Sequence, residues 1–104
     1  MQADDIKRAI LDQIGEQWDR TNLHAVNLRR CLVDPPRLRT YLDGFHANTP
    51  IELWLVLEED PVTHVGYEIV FDEEKGFGLA ATQRHETPVL VGWYDTFLDA
   101  FEGM

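Results

Sequence analysis

The sequence predicts an α+β domain: a single mostly antiparallel sheet of four to five strands, with an N-terminal helix, a short middle helix and a C-terminal helix on one face. Three observations carry that expectation. Apolar residues recur every fourth position near the start, alternate with other residues from Ile51 onward, and return to a helical spacing after Asp95. The 104 residues suit one hydrophobic core and contain no repeat or linker, so positions 1–104 are read as one domain.

Ile6, Ile10, Ile14 and Trp18 stand at successive i+4 steps, which predicts an amphipathic helix over residues 5–19 capped by Asp4 or Asp5. Over residues 23–33, Val26, Leu28 and Leu32 alternate with Asn27, Arg29 and Cys31; a strand is favoured over a helix there. Asp34-Pro35-Pro36 then reads as an N-cap followed by first-turn prolines, whose missing amide donors cost a helix nothing at that position. Leu38, Tyr41, Leu42 and Phe45 follow at i, i+3, i+4 and i+7, giving the short middle helix, which ends near Gly44.

Ile51, Leu53, Leu55 and Leu57 alternate with Glu52, Trp54, Val56 and Glu58, so a strand here has an aliphatic core face and a mixed second face. Tyr67, Ile69 and Phe71 form the next alternating run, and Phe77, Leu79 and Ala81 another. Asp72-Glu73-Glu74-Lys75-Gly76 joins the two as an antiparallel hairpin, because the closing glycine tolerates positive φ. Val89 to Trp93 is the last strand, and Asp95 caps a final helix bearing Phe97, Leu98 and Phe101.

Charge narrows the range of partners. Nineteen acids against nine Lys and Arg give a net charge of −10, which opposes phosphate backbones and anionic lipid, so neither nucleic acid nor membrane is expected. The imbalance is uneven: residues 1–42 hold six acids and seven bases, residues 43–104 thirteen acids and two bases. Cys31 is the sole cysteine, which rules out an internal disulfide and suits a reducing compartment. Acids near the start replace the basic region of a signal peptide, so a cytoplasmic location is expected.

No arrangement of residues signals a reaction. The four histidines, His24, His46, His64 and His85, are about twenty residues apart, which gives no local pair for a metal, and the chain has no serine nucleophile. No metal or cofactor is expected. Cys31 reads as a buried thiol rather than a nucleophile. Gly76 and Gly78 lack the rest of a phosphate loop, and the acid runs Glu58-Glu59-Asp60 and Asp72-Glu73-Glu74 lack calcium-loop spacing.

Two features stand out. Arg29, Arg30, Arg37 and Arg39 place four of the nine bases within eleven residues; they are suited either to receive an anion or to pair with the acidic half of the chain, and internal pairing is favoured. The mixed sheet face carries Trp54 and Val56, and an apolar patch left open there would be a contact surface. The leading expectation is therefore a non-catalytic binding module that forms a homodimer through the Trp54 face. Two alternatives accompany it: a small-molecule binder or small enzyme with a pocket lined by Trp18, Trp54, Tyr67 and Trp93, and an inhibitor- or immunity-type protein that neutralises a basic partner.

Overall fold

The structure, a computed structural model, describes residues 2–82 and 87–104. Its elements are α1 (Ala3–Ile14), α2 (Leu28–Cys31), β1 (Leu32–Asp43), β2 (Thr49–Glu58), β3 (Gly66–Asp72), β4 (Gly76–Thr82), β5 (Val89–Tyr94) and α3 (Phe97–Gly103). The α+β class holds, with five strands and three helices. None of these helices is long and apolar enough to cross a membrane.

The strands follow one another antiparallel from β1 to β5, and a short parallel contact then closes the sheet into a barrel. In that contact Leu42 lies opposite Val89 and Asp43 opposite Leu90. Closure divides the core in two. Tyr41, Leu53, Val70, Ala80 and Leu90 fill the barrel, with Ile51 and Trp93 against them. The second and larger cluster lies between the outer wall and the helices, where Ile6, Ile10 and Ile14 of α1 and Phe97 and Phe101 of α3 meet Val56, Leu57, Ile69, Phe71, Phe77 and Leu79. Phe77 links sheet to helix, its ring 5.8 Å from Phe97 in an edge-on contact and 4.9 Å from Phe71 on the sheet.

Most sequence-predicted elements form, with shifted ends. Helix α1 starts at Ala3, and its N-terminal bond runs from the Gln2 amide to Asp5 Oδ2 at 2.9 Å. It stops at Ile14 because Gly15 takes φ +57°, so Trp18 lies beyond the helix rather than on it. The β3–β4 hairpin forms as expected: Asp72 Oδ2 accepts from the amides of Glu74 and Lys75, both at 3.1 Å, and Gly76 takes φ +87°. Helix α3 is capped by Thr96, whose hydroxyl accepts from the Asp99 amide at 3.1 Å, one residue later than the expected Asp95.

Residues 23–44 fold differently from the expectation. Instead of a strand over 23–33, Asn27 caps the single turn of α2 by accepting from the Arg30 amide, and Leu23 is 96% exposed. The expected helix after Asp34 is strand β1, with a cis bond between Asp34 and Pro35. Two prolines fit this strand because the β1–β2 ladder shifts register between Leu32 and Arg37, so no ladder bond is asked of them. Extended backbone directs Tyr41 into the barrel, whereas Leu38 and Phe45, placed beside it by helical spacing, are 54% and 58% exposed.

A second register shift lies in β2. Leu55 pairs with Val70 and Leu57 with Ile69, leaving Val56 as the extra residue. Leu53 stays inside the barrel while Leu57 joins the helix-covered cluster, so the single aliphatic face expected over residues 51–57 is divided between two cores.

Candidate functional site

Past the bulge, Glu58 lies directly opposite Glu68 on β3, and both side chains are buried. Two carboxylates facing across a ladder repel. Strand β1 supplies the answering groups at alternate positions, as a pleated backbone must. Arg37 Nη2 lies 3.2 Å from Glu58 Oε1, Arg39 Nη1 lies 2.8 Å from Glu68 Oε2, and the Tyr41 hydroxyl donates to Glu68 Oε1 at 2.8 Å. Thr82 Oγ1 adds a bond to Glu68 Oε2 at 3.3 Å, and His64 Nδ1 pairs with Glu58 Oε2. Among the described residues, no buried side-chain polar atom is left without a partner.

Burial, reinforced by the Glu68 carboxylate, raises the Tyr41 phenol well above its ordinary value and keeps it a hydrogen-bond donor. Each oxygen of Glu58 and of Glu68 has at least one hydrogen-bonding partner within the chain. At the other end of β1, Asp43 lies below the usual carboxylate range, because His46 bonds to it at 2.8 Å and the Phe45 amide donates as well. Cys31 is buried and its thiol is raised by desolvation, the opposite of an activated nucleophile.

The four arginines do not form one surface. Arg37 and Arg39 serve the barrel network. Arg29 Nε pairs with Asp19 Oδ1 at 2.9 Å, and its guanidinium lies 6.0 Å from the Trp18 ring. Arg30 is exposed on α2. Trp54 and Val56 require a correction. Val56 is 0% exposed within the helix-covered cluster, and Trp54 is half-buried against the same cluster, so the chain's own helices occupy the face expected to be open. The four aromatics expected to share a pocket are likewise separate. Trp18 lines a cleft beside α1, Trp93 enters the barrel with Lys75 5.6 Å from its ring, and Tyr67 is exposed on β3.

Of the network residues, Glu68 was not singled out by sequence at all, Glu58 only on the mixed strand face and in an acid run, and Tyr41 only on the expected middle helix. Their signal was the spacing Arg37, Arg39, Tyr41, three polar-headed side chains on one face of a strand, hidden because a helical spacing was read over the same residues. The cleft beside α1 encloses about 120 Å³ between Lys7 and Ile10 of α1, Trp18, Arg29, and Leu32 and Pro36 of β1. Among the described residues, no group of three or more His, Cys, Asp or Glu is placed to hold a metal ion; His85 lies outside them. Comparison with protein-family models, with curated proteins and with solved structures found no match for this chain.

Proposed function

We propose that this chain is a non-catalytic binding module whose acidic exterior receives a basic protein partner. One observation carries the reading: five of the chain's nine Lys and Arg side chains are already engaged by its own acids. Lys7, Arg20, Arg29, Arg37 and Arg39 each pair with a carboxylate of the same chain, and in the Arg37 and Arg39 pairs that carboxylate is buried. The net charge of −10 is therefore presented outward by acids on the remaining surface, among them Asp4, Glu16, Glu52, Asp95 and Asp99. The lone buried thiol suits a cytoplasmic setting for this role.

The reading predicts that the immobilised chain captures basic proteins at low ionic strength and releases them as salt approaches about 1 M, where screening reaches about 3 Å. A variant with Glu52, Asp95 and Asp99 changed to Lys is expected to lose that capture while keeping its circular dichroism spectrum. Capture that ignores salt, or that survives the charge reversal, contradicts the proposal.

Self-association is a second reading, favoured by an apolar row on the outer wall. Across the ladders Tyr67 lies opposite Ala81, Ala81 opposite Val89, and Val89 opposite Leu42, and all four are at least partly exposed. Sedimentation at micromolar concentration is expected to give a dimer that Val89→Glu converts to a folded monomer. A parent chain that is already monomeric excludes this reading.

A further inference from the structure

We infer that the cleft between α1 and the first half of β1 binds a small organic monoanion, a carboxylate attached to an apolar ring or a short branched chain. The inference is independent of the proposed capture of a basic protein. It starts from where the cleft lies in the sequence. Every residue that lines it falls between Lys7 and Pro36, inside the only part of this acidic chain where bases outnumber acids. Two cations, Lys7 and Arg29, and one carboxylate, Asp34, are among its lining residues; Asp19, the acid that pairs with Arg29, is not one of them. On the lining itself an anion meets two cations, and a cation meets one carboxylate.

The walls specify the rest of the ligand. Ile10, Leu11, Leu32, Pro36 and the Trp18 indole present an apolar lining, which rewards burial of a ring or alkyl body. At about 120 Å³ the space is below the roughly 300–1,000 Å³ of pockets for drug-sized ligands, so the body is small.

The charged groups are poised to exchange partners. Arg29 is held by Asp19 with side chains 62% and 80% exposed, and Lys7 by Asp34 at 42% and 61%. Ion pairs this exposed contribute little, so a ligand carboxylate can replace either acid with small loss. The guanidinium beside Trp18 presents a planar fork suited to two parallel bonds with a carboxylate, while the ring supports its orientation. Arg29 thus differs from Arg37 and Arg39, whose carboxylate partners are buried.

The test is an amide-, indole- and guanidinium-detected NMR titration of the whole chain with phenylacetate, using phenylacetamide and phenethylamine as isosteric neutral and cationic probes. Phenylacetate is expected to shift the Trp18 indole N–H and Arg29 Nε–H signals saturably at millimolar concentration, with the two other probes at least about tenfold weaker. Arg29→Met is expected to weaken phenylacetate binding about tenfold. Arg30→Met, which alters an exposed neighbour outside the cleft lining, is expected to leave it unchanged. Both arginines are exposed, so both variants should keep the parent spectrum outside the cleft. Equal binding of all three probes, no saturable shift at Trp18, or equal loss in the two arginine variants overturns the inference.

Discussion

Val56→Glu is expected to unfold this domain, at a cost above about 4 kcal/mol against a total stability of roughly 5–15 kcal/mol. The reason is position. Val56 is the bulged residue of β2, fully buried in the layer between barrel and helices, alongside isoleucines of α1 and phenylalanines of α3. A carboxylate there has neither water nor a cation, and an unpaired buried charge is among the most destabilising changes a core can receive. Val56→Ala, which removes only methyl groups, is expected to cost about 2 kcal/mol. Urea unfolding followed by circular dichroism checks both. A folded Val56→Glu chain of near-parental stability would mean that this face is open and that the helices do not cover it.

Glu68→Leu is expected to cost about 3–5 kcal/mol, because it leaves Arg39 without its buried partner and the Tyr41 hydroxyl without an acceptor. Glu68→Gln keeps one oxygen to accept from Tyr41 or Arg39 and is expected to cost less. The same physics makes the network poor evidence for high stability. Replacing both members of a buried ion pair by apolar groups is often neutral or stabilising. What the network secures is placement: it permits two facing glutamates inside a barrel and fixes β1, β2 and β3 relative to one another through Arg37, Arg39, Glu58 and Glu68.

The parts of the fold legible in sequence were those governed by local rules. The isoleucine steps of α1, the alternation of Tyr67, Ile69 and Phe71, the Asp72 to Gly76 turn and the apolar face of α3 each state their element within a few residues. Residues 34–45 were not legible, because Leu38, Tyr41, Leu42 and Phe45 fit a helix while Arg37, Arg39 and Tyr41 fit a strand. Local spacing cannot choose between these two periods. The choice is made by strand partners on β2 and by Glu68 on β3, which lies 27 residues from Tyr41 and 29 from Arg39.

Barrel closure was hidden for a related reason. Three short helices cannot cover both faces of an open sheet, and from that premise the Trp54 side was expected to remain bare. The contact of Leu42 and Asp43 with Val89 and Leu90 removes the premise: one face becomes the barrel interior, and the helices have only the outer wall to cover. The bulge at Val56 was equally silent, since Leu55, Val56 and Leu57 are all aliphatic and a register shift among them leaves no mark in the pattern. The arginine cluster was divided by the same geometry: β1 directs Arg39 inward to Glu68 and sets the exposed Arg37 on the buried Glu58, while α2 leaves Arg29 and Arg30 outside.

That inward direction distinguishes an acidic exterior from a basic patch, and a double-mutant cycle measures it. Arg39→Met, Glu68→Leu and the combined variant, each unfolded in urea, are expected to give a coupling of about 2 kcal/mol or more, with the double variant more stable than Glu68→Leu alone. A coupling below about 0.5 kcal/mol would place the Arg39 guanidinium free at the surface and contradict the account.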